Sequence, residues 1–258
     1  MDPILELKHI YYSYHTLECE TPALSDISFS LNSGEFLAVV GPSGCGKSTL
    51  LSIICGLIEP EKGLIKLNGH YIPGAAANIG YMLQYDHLFE WRTIYQNVIL
   101  GLEIQHSFSK LLSKEKERAN ELLEMYGLGR FKNAYPSELS GGMRQRAALI
   151  RTLLMEPEIL LLDEPFSALD YQTRLTVADD IGQILRREKK TAILVTHDLS
   201  EAISLADRII ILSRRPATIQ ETVCITFDLE ADTPMHRRNA PEFKNYFNLI
   251  WKELNENE

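Results

Sequence analysis

The sequence lacks any apolar run long enough to cross a bilayer. Its apolar runs, such as "ILLL" at 159–162 and "IIIL" at 209–212, are strand-length, against the roughly 18 residues that a spanning helix needs. Any membrane role must therefore come through a partner. Positive charge is also scarce: 26 Lys+Arg against 35 Asp+Glu leave a net charge of −9, which argues against a general DNA or RNA binder. The 4 cysteines, at 19, 45, 55 and 224, have neither paired metal spacing nor disulfide-scaffold density, so a reduced compartment with core or incidental thiols is expected. The opening "MDPILELKHI" has no basic start followed by an apolar run, so no secretory signal is expected. Repeats and low-complexity stretches are missing too.

What is present is a series of continuous apolar strands that feed helices. "EFLAVV" (35–40) runs into "GPSGCGKSTLLSIICG", in which Lys47 onward reads as a helix stopped at Gly56. "EILLL" (158–162) ends in Asp163 and Glu164; "TAILVT" (191–196) leads to a helix through Ala206, and "RIIIL" (208–212) follows. This pattern predicts an α/β fold with a mostly parallel sheet covered on both faces. "ILELKHIYYSY", "ALSDISFSL" and "GLIKLNG" predict N-terminal antiparallel strands beside that sheet. From about 90 to 156 the text turns helical: "KEKERANELLEMYGL" places Ala119, Leu122, Leu123 and Tyr126 on one stripe, with Gly127 a stop. The reading is a helical insert between two core strands. "LSGGMRQR" (139–146) caps a helix from Met143 to Leu154 through Ser140 or its glycines. The tail, about 214–258, carries helix-like text such as "APEFKNYFNLIWKEL". It is too short for another large domain, and packing on its own core is its plainest role.

"GPSGCGKST" (41–49) satisfies the phosphate-loop pattern G-x-x-x-x-G-K-[ST], after an apolar strand and before a helix. Its glycines let backbone N–H groups curl around an anion, and the helix N-terminus adds a favourable dipole. Lys47 can reach the β- and γ-phosphates of a nucleoside triphosphate, and Ser48 can ligate Mg2+. In "ILLLDEP" (159–165) two carboxylates follow a strand at its C-terminal edge, where parallel sheets place their ligands. Asp163 suits the magnesium shell and Glu164 suits orienting or deprotonating the attacking water. His197, just past "AILVT", can hydrogen-bond the γ-phosphate. Gln84, closing "GYMLQ", reads equally as a metal or water ligand or as a strand-end amide.

Together these elements resemble the ATP-binding subunit of ABC transporters over nearly the whole chain. The resemblance implies the ABC ATPase fold: a P-loop NTPase core with a mostly parallel sheet, an N-terminal antiparallel β-subdomain and an inserted helical subdomain. It treats 1–258 as one nucleotide-binding domain, with the helical subdomain at about 90–156. It makes "LQYDHLF" a Q-loop containing Gln84, "LSGGMRQR" the signature, "SALD" (167–170) the D-loop and His197 the switch histidine. The nucleotide cradle is then Gly41, Pro42, Ser43, Gly44, Cys45, Gly46, Lys47, Ser48 and Thr49, with Tyr14 stacking on adenine and Tyr12 a weaker candidate. Ser48, Gln84 and Asp163 hold Mg2+; Glu164, His197, Lys47 and Gln84 serve hydrolysis.

The same resemblance implies partners. Two ATP-binding subunits close head-to-tail, as a homodimer in the simplest case, so Ser140, Gly141 and Gly142 meet the partner's ATP and Asp170 reports across the dimer. Met143 stands where the commonest signature has glutamine. The helical part, about 90–156, meets the permease subunits on the cytoplasmic side of the membrane, with 85–97 near the groove that receives their coupling helix, and a periplasmic or extracellular solute-binding protein acts indirectly. No nucleic acid is implied. "LSGGMRQR", "EWRTIYQNV" and "LSRRPATI" resemble the nitrate/sulfonate/taurine importer branch; another small nutrient, or a non-transport ABC ATPase on a macromolecule, are the alternatives. On this reading Gly142→Asp spares ATP binding by one subunit and blocks closure.

Overall fold

In the computed structural model, the described residues are 2–17, 19–71, 78–107 and 111–255. The strands among them are β1 (Leu5–His15), β2 (Glu20–Leu31), β3 (Phe36–Val40), β4 (Lys62–Leu67), β5 (His70–Tyr71), β6 (Ile79–Met82), β7 (Ile159–Asp163), β8 (Thr191–Val195), β9 (Arg208–Leu212) and β10 (Ile219–Cys224). The α-helices are α1 (Lys47–Ile54), α2 (Ile94–Val98), α3 (Leu100–Gln105), α4 (Ser113–Met125), α5 (Gly141–Leu153), α6 (Tyr171–Arg187), α7 (Leu199–Leu205), α8 (Pro234–Asn239) and α9 (Pro241–Asn255).

Two sheets form. The N-terminal strands make an antiparallel sheet of order β2-β1-β4-β5, and the main sheet runs β10-β9-β3-β8-β7-β6. Within the main sheet β9, β3, β8, β7 and β6 are mutually parallel, and β10 alone is antiparallel. The apolar runs predicted as core strands are fully buried because both faces are covered. Phe36, Ala38 and Val40 of β3 join the core under the helices, while Leu37 and Val39 face α1 and the N-terminal sheet. β7 and β9 divide the same way, with Leu160 and Ile209 on one side and Ile159 and Ile210 on the other.

Ala119, Leu122, Leu123 and Tyr126 do form the buried stripe of α4 and its C-cap, packed against the same core as α5. The tail departs from its helix-like reading at its start. Residues Ile219–Cys224 become the edge strand β10 of the main sheet. Its mixed polarity disguised it, because an edge strand buries little: among its residues only Val223 is buried. Beyond it, α8 and α9 pack on this chain's own core. Arg237 is 3% exposed and donates to Asp232 and to the Ala206 carbonyl, and Ile250 is completely buried.

One buried acid has a measurable consequence. Glu201, 3% exposed, accepts a hydrogen bond from Thr196 Oγ1 at 2.7 Å. Burial pushes its carboxyl up from 4.5 to about 7, with the Thr196 bond opposing and Asp198 adding to the rise. The folded chain thus keeps this proton where the unfolded chain has lost it. Its contribution to stability is full below about pH 4.5 and is lost as pH rises through about 7, on the order of 3 kcal/mol in all. Urea melts of wild type and Glu201→Gln across this range test it: the substitution should remove that slope, and an unchanged slope would overturn the assignment.

Candidate functional site

Parallel strands carry their C-terminal ends to one edge of the sheet, and the predicted chemistry gathers there. β3 delivers residues 41–49, β8 delivers His197, β7 delivers Asp163 and Glu164, and β6 delivers Gln84; these strands are consecutive in the sheet.

The phosphate loop is built for an anion. Gly46 has φ +125°, and a Cβ there would lie 2.9 Å from Leu24 Cδ2 and 3.1 Å from the Ala23 carbonyl oxygen. Any side chain is both strained and blocked at this position. α1 starts with no side-chain cap and no acidic residue in its first turn, so its N-terminal N–H groups are left for an anion. Lys47, 6% exposed, directs its ammonium at the loop and donates to the Gly41 carbonyl at 2.8 Å and the Pro42 carbonyl at 3.0 Å. Cys45 is buried beneath the loop, where burial pushes its thiol up, so it packs rather than reacts. Pro42 is half-buried, while Ser43 and Gly44 are exposed at the mouth. Tyr14 is 38% exposed, and its hydroxyl shares a 2.8 Å hydrogen bond with Thr49 Oγ1. Tyr12 stands edge-on to it, with ring centroids 5.0 Å apart.

Ser48 and Asp163 come together as their proposed metal role requires: the Ser48 hydroxyl donates to Asp163 Oδ1 at 3.1 Å. Tyr81 donates to Asp163 Oδ2, also at 3.1 Å. Burial pushes the Asp163 carboxyl up and these two hydrogen bonds pull it down. The Ser48 hydroxyl and the Asp163 carboxylate offer adjacent oxygen donors of the kind that suits Mg2+, while the side-chain contacts of Gln84 run through its amide nitrogen to Glu164 and Ser167. The residues fit both a triphosphate and its magnesium.

Glu164 occupies a left-handed backbone conformation, φ 45°, a cost of about 1–3 kcal/mol for a residue with a side chain. The turn is held by Glu164 N–H donating to the Val195 carbonyl and by Ser167, whose N–H and hydroxyl both donate to the Glu164 carbonyl. It aims the Glu164 carboxylate at His197 Nδ1, 3.1 Å away. Gln84 Nε2 donates to the same carboxylate oxygen at 3.4 Å and to Ser167 Oγ at 3.2 Å. Gln84 is therefore tied to the site, lying beyond the end of β6 rather than closing it. Tyr81 and Ser167 are residues whose roles sequence reading missed. Their signals were present, a tyrosine inside "GYMLQ" and a serine opening "SALD", but their partners lie 82 and 83 residues away.

Ser140, Gly141 and Gly142 are not brought to this cluster. Ser140 caps α5, accepting from Met143 N–H, and with Gly142 it lines a separate cavity alongside Asp170, Thr173 and Val177. Asp170 caps α6, its carboxylate accepting from Thr173 N–H at 3.0 Å. Gly142 is buried, and a Cβ there would meet Thr173 Cγ2 and Val177 Cγ2, each at 2.9 Å. This changes the expected outcome for Gly142→Asp: the carboxylate would first strike α6 of its own chain. Gly142→Ala should already destabilise by about 1–3 kcal/mol, read as a lowered urea midpoint. A midpoint equal to wild type would show that α5 can move off α6.

The comparisons agree with this geometry. The ABC transporter family model matches residues 24–167. The uncharacterized ABC transporter ATP-binding protein YtlC of Bacillus subtilis (strain 168) is 47% identical over 251 residues, 97% of this chain and 95% of its own. The nitrate import ATP-binding protein NrtD of Synechocystis sp. is 41% identical over 232 residues (88% and 86%). The aliphatic sulfonates import ATP-binding protein SsuB of Bacillus licheniformis is 42% identical over 236 residues (91% and 88%). Among solved structures, the dimeric ATP-binding cassette MJ0796 bound to ADP and Pi superposes with a TM-score of 0.73 at 31% identity, covering 87% of this chain and 100% of that one. With the phosphate loop, the paired carboxylates and this fold in one chain, the protein belongs to the ABC transporter family, as an ATP-binding, ATP-hydrolysing subunit related to the nitrate and sulfonate importer ATPases.

Proposed function

We propose that this chain is the motor of an importer for a small anion or sulfonate-like solute, working as a head-to-tail pair on permease subunits at the cytoplasmic face of the membrane. The observation that carries the motor is the gathering of Lys47, Asp163, Glu164, Gln84 and His197 at one sheet edge. Lys47 and the loop amides hold the phosphates, Tyr14 stacks on the adenine, and Glu164 takes or orients the proton of the attacking water while His197 and Gln84 fix its carboxylate. Bound magnesium, held by Ser48, Asp163 and Gln84, would neutralise charge on the phosphate oxygens. That Ser140 and Gly142 open onto a cavity without any phosphate-loop residue supports their acting on the partner's ATP. The choice of solute class rests on the import roles named for NrtD and SsuB.

Coupling to a permease is supported by the segment after Gln84. Arg144 of α5 clamps Asp86 with two hydrogen bonds (2.8 and 3.1 Å) and pairs with Glu90 at 2.8 Å. Arg151 donates to the Asp86 and His87 carbonyls at 2.7 and 2.9 Å. The segment so held presents Tyr85, Phe89 and Trp91 at 63%, 38% and 74% exposure. A push on these side chains reaches both Gln84 and the helix that starts at the signature.

The test is co-purification from solubilised membranes, followed by transport in vesicles rebuilt with what comes along, over nitrate and a panel of sulfonates. Uptake of one of these anions, coupled to ATP hydrolysis, is expected. Trp91→Ala should leave basal ATPase within about twofold while lowering recovery of the permease, since a large exposed aromatic is a typical interface anchor. Unchanged recovery would place the contact elsewhere.

A further inference from the structure

The turn that carries His197 is held internally by short bonds. Thr196 Oγ1 donates to Glu201 Oε2 at 2.7 Å and accepts from Asp198 N–H at 3.0 Å, and Asp198 Oδ1 caps α7 through Ser200 N–H at 2.8 Å. None of these bonds ties the turn to residues 167–170, which follow Glu164. Arg174, on the first turn of α6, does. Its guanidinium reaches Asp198 Oδ2 at 3.4 Å through Nη1, and Nη2 donates to the Leu169 carbonyl at 3.1 Å and the Ser167 carbonyl at 3.5 Å. Nε lies 3.9 Å from Glu201 Oε1. The side chain is 22% exposed, against 4% for Glu201.

The contacts close a ring around the hydrolytic carboxylate. Glu164 Oε2 faces His197 on one side and Gln84 on the other; Gln84 donates to Ser167, the Ser167 carbonyl meets Arg174, and Arg174 meets Asp198, next to His197. We propose that Arg174 is a positioning residue for ATP hydrolysis, fixing the His197 turn against the 167–170 turn and so setting the Glu164–His197 contact. A guanidinium suits the task because its planar fork addresses carbonyls and carboxylates in several directions at once, where an ammonium is a single point. The proposal rests on the hydrolytic roles given above to Glu164 and His197.

Three variants are measured side by side: Arg174→Ala, Arg174→Lys and Glu164→Gln. The readouts are steady-state ATPase, equilibrium binding of a fluorescent ATP analogue, and sizing chromatography with Mg-ATP of Arg174→Ala placed in the Glu164→Gln background. Misplacing a reacting group by about an ångström costs about 100-fold. Arg174→Ala should therefore lose about 10- to 100-fold in kcat with KM and analogue affinity within about threefold, and the double variant should still pair on ATP. Arg174→Lys, which keeps the charge but not the fork, should fall between. Wild-type kcat in Arg174→Ala overturns the proposal. So does a parallel loss of analogue affinity, which would mark general collapse of the site. If Glu164→Gln itself hydrolyses ATP at the wild-type rate, the hydrolytic assignment fails first and the proposal falls with it; an inactive Glu164→Gln beside a fully active Arg174→Ala sinks the proposal alone.

Discussion

Lys47→Ala is expected to raise the ATP dissociation constant by about 100- to 1,000-fold and to reduce hydrolysis to background. Two of the three ammonium N–H donors go to the Gly41 and Pro42 carbonyls, which pins the charge over the loop. A charge-assisted hydrogen bond to phosphate contributes about 1.5–3 kcal/mol, and losing the ammonium removes both the bond and the buried counter-charge to the phosphates. Uniform loss of binding alone would raise KM and spare kcat. Here both should suffer, because the lysine also faces charge that grows as the γ-phosphate departs. Isothermal titration with ATP, ATPase assays and a thermal melt check the three parts. A folded variant that binds and hydrolyses ATP near the wild-type level would dismiss Lys47 from the site.

Glu164→Gln has the second largest expected effect, of a different kind. Glutamine keeps the volume and can keep contacts with Gln84 and His197, so nucleotide binding should survive within about threefold. It cannot take a proton, and loss of a positioned base costs about 100- to 10,000-fold in rate. ATP should then stay bound and the paired form accumulate. Sizing chromatography with Mg-ATP should show a dimer in the variant that disappears when ADP replaces ATP. Turnover near the wild-type rate would move the base to another residue, and a monomer under all nucleotides would speak against the sandwich of two chains.

The two predictions differ in how far they could be read without coordinates. Lys47 follows from nine consecutive residues: the loop's glycines, its lysine and its helix start are neighbours in sequence, and backbone conformation is local. Glu164 could be named from its place at a strand end, but its aim could not. The carboxylate points at His197 only because Glu164 adopts φ 45° and because β7 lies beside β8 in the sheet.

Gly142 shows where a local reading gave half the answer. The resemblance expects it to meet the partner's ATP. The fold requires something else of it, close approach of the methyl groups of Thr173 and Val177 from the facing helix. Similarly, β10 was hidden in polar text because an edge strand needs only one buried face, and pairing with β9 supplies its backbone hydrogen bonds.

By itself the sequence determined the phosphate loop, the paired carboxylates at a strand end, the helix cap at Ser140 and the apolar strands of a covered parallel sheet, because each depends on backbone chemistry or periodicity within a few residues. Only the tertiary structure decided that Gln84, Ser167, Glu164 and His197 form one hydrogen-bonded group, that Arg174 ties two turns together, and that Ser140 and Gly142 line a cavity with no phosphate-loop residue in it. Those facts depend on the order of strands in the sheet and on which face each helix turns inward. Strand order and helix facing are settled by packing between elements distant in the chain, which no local spacing records.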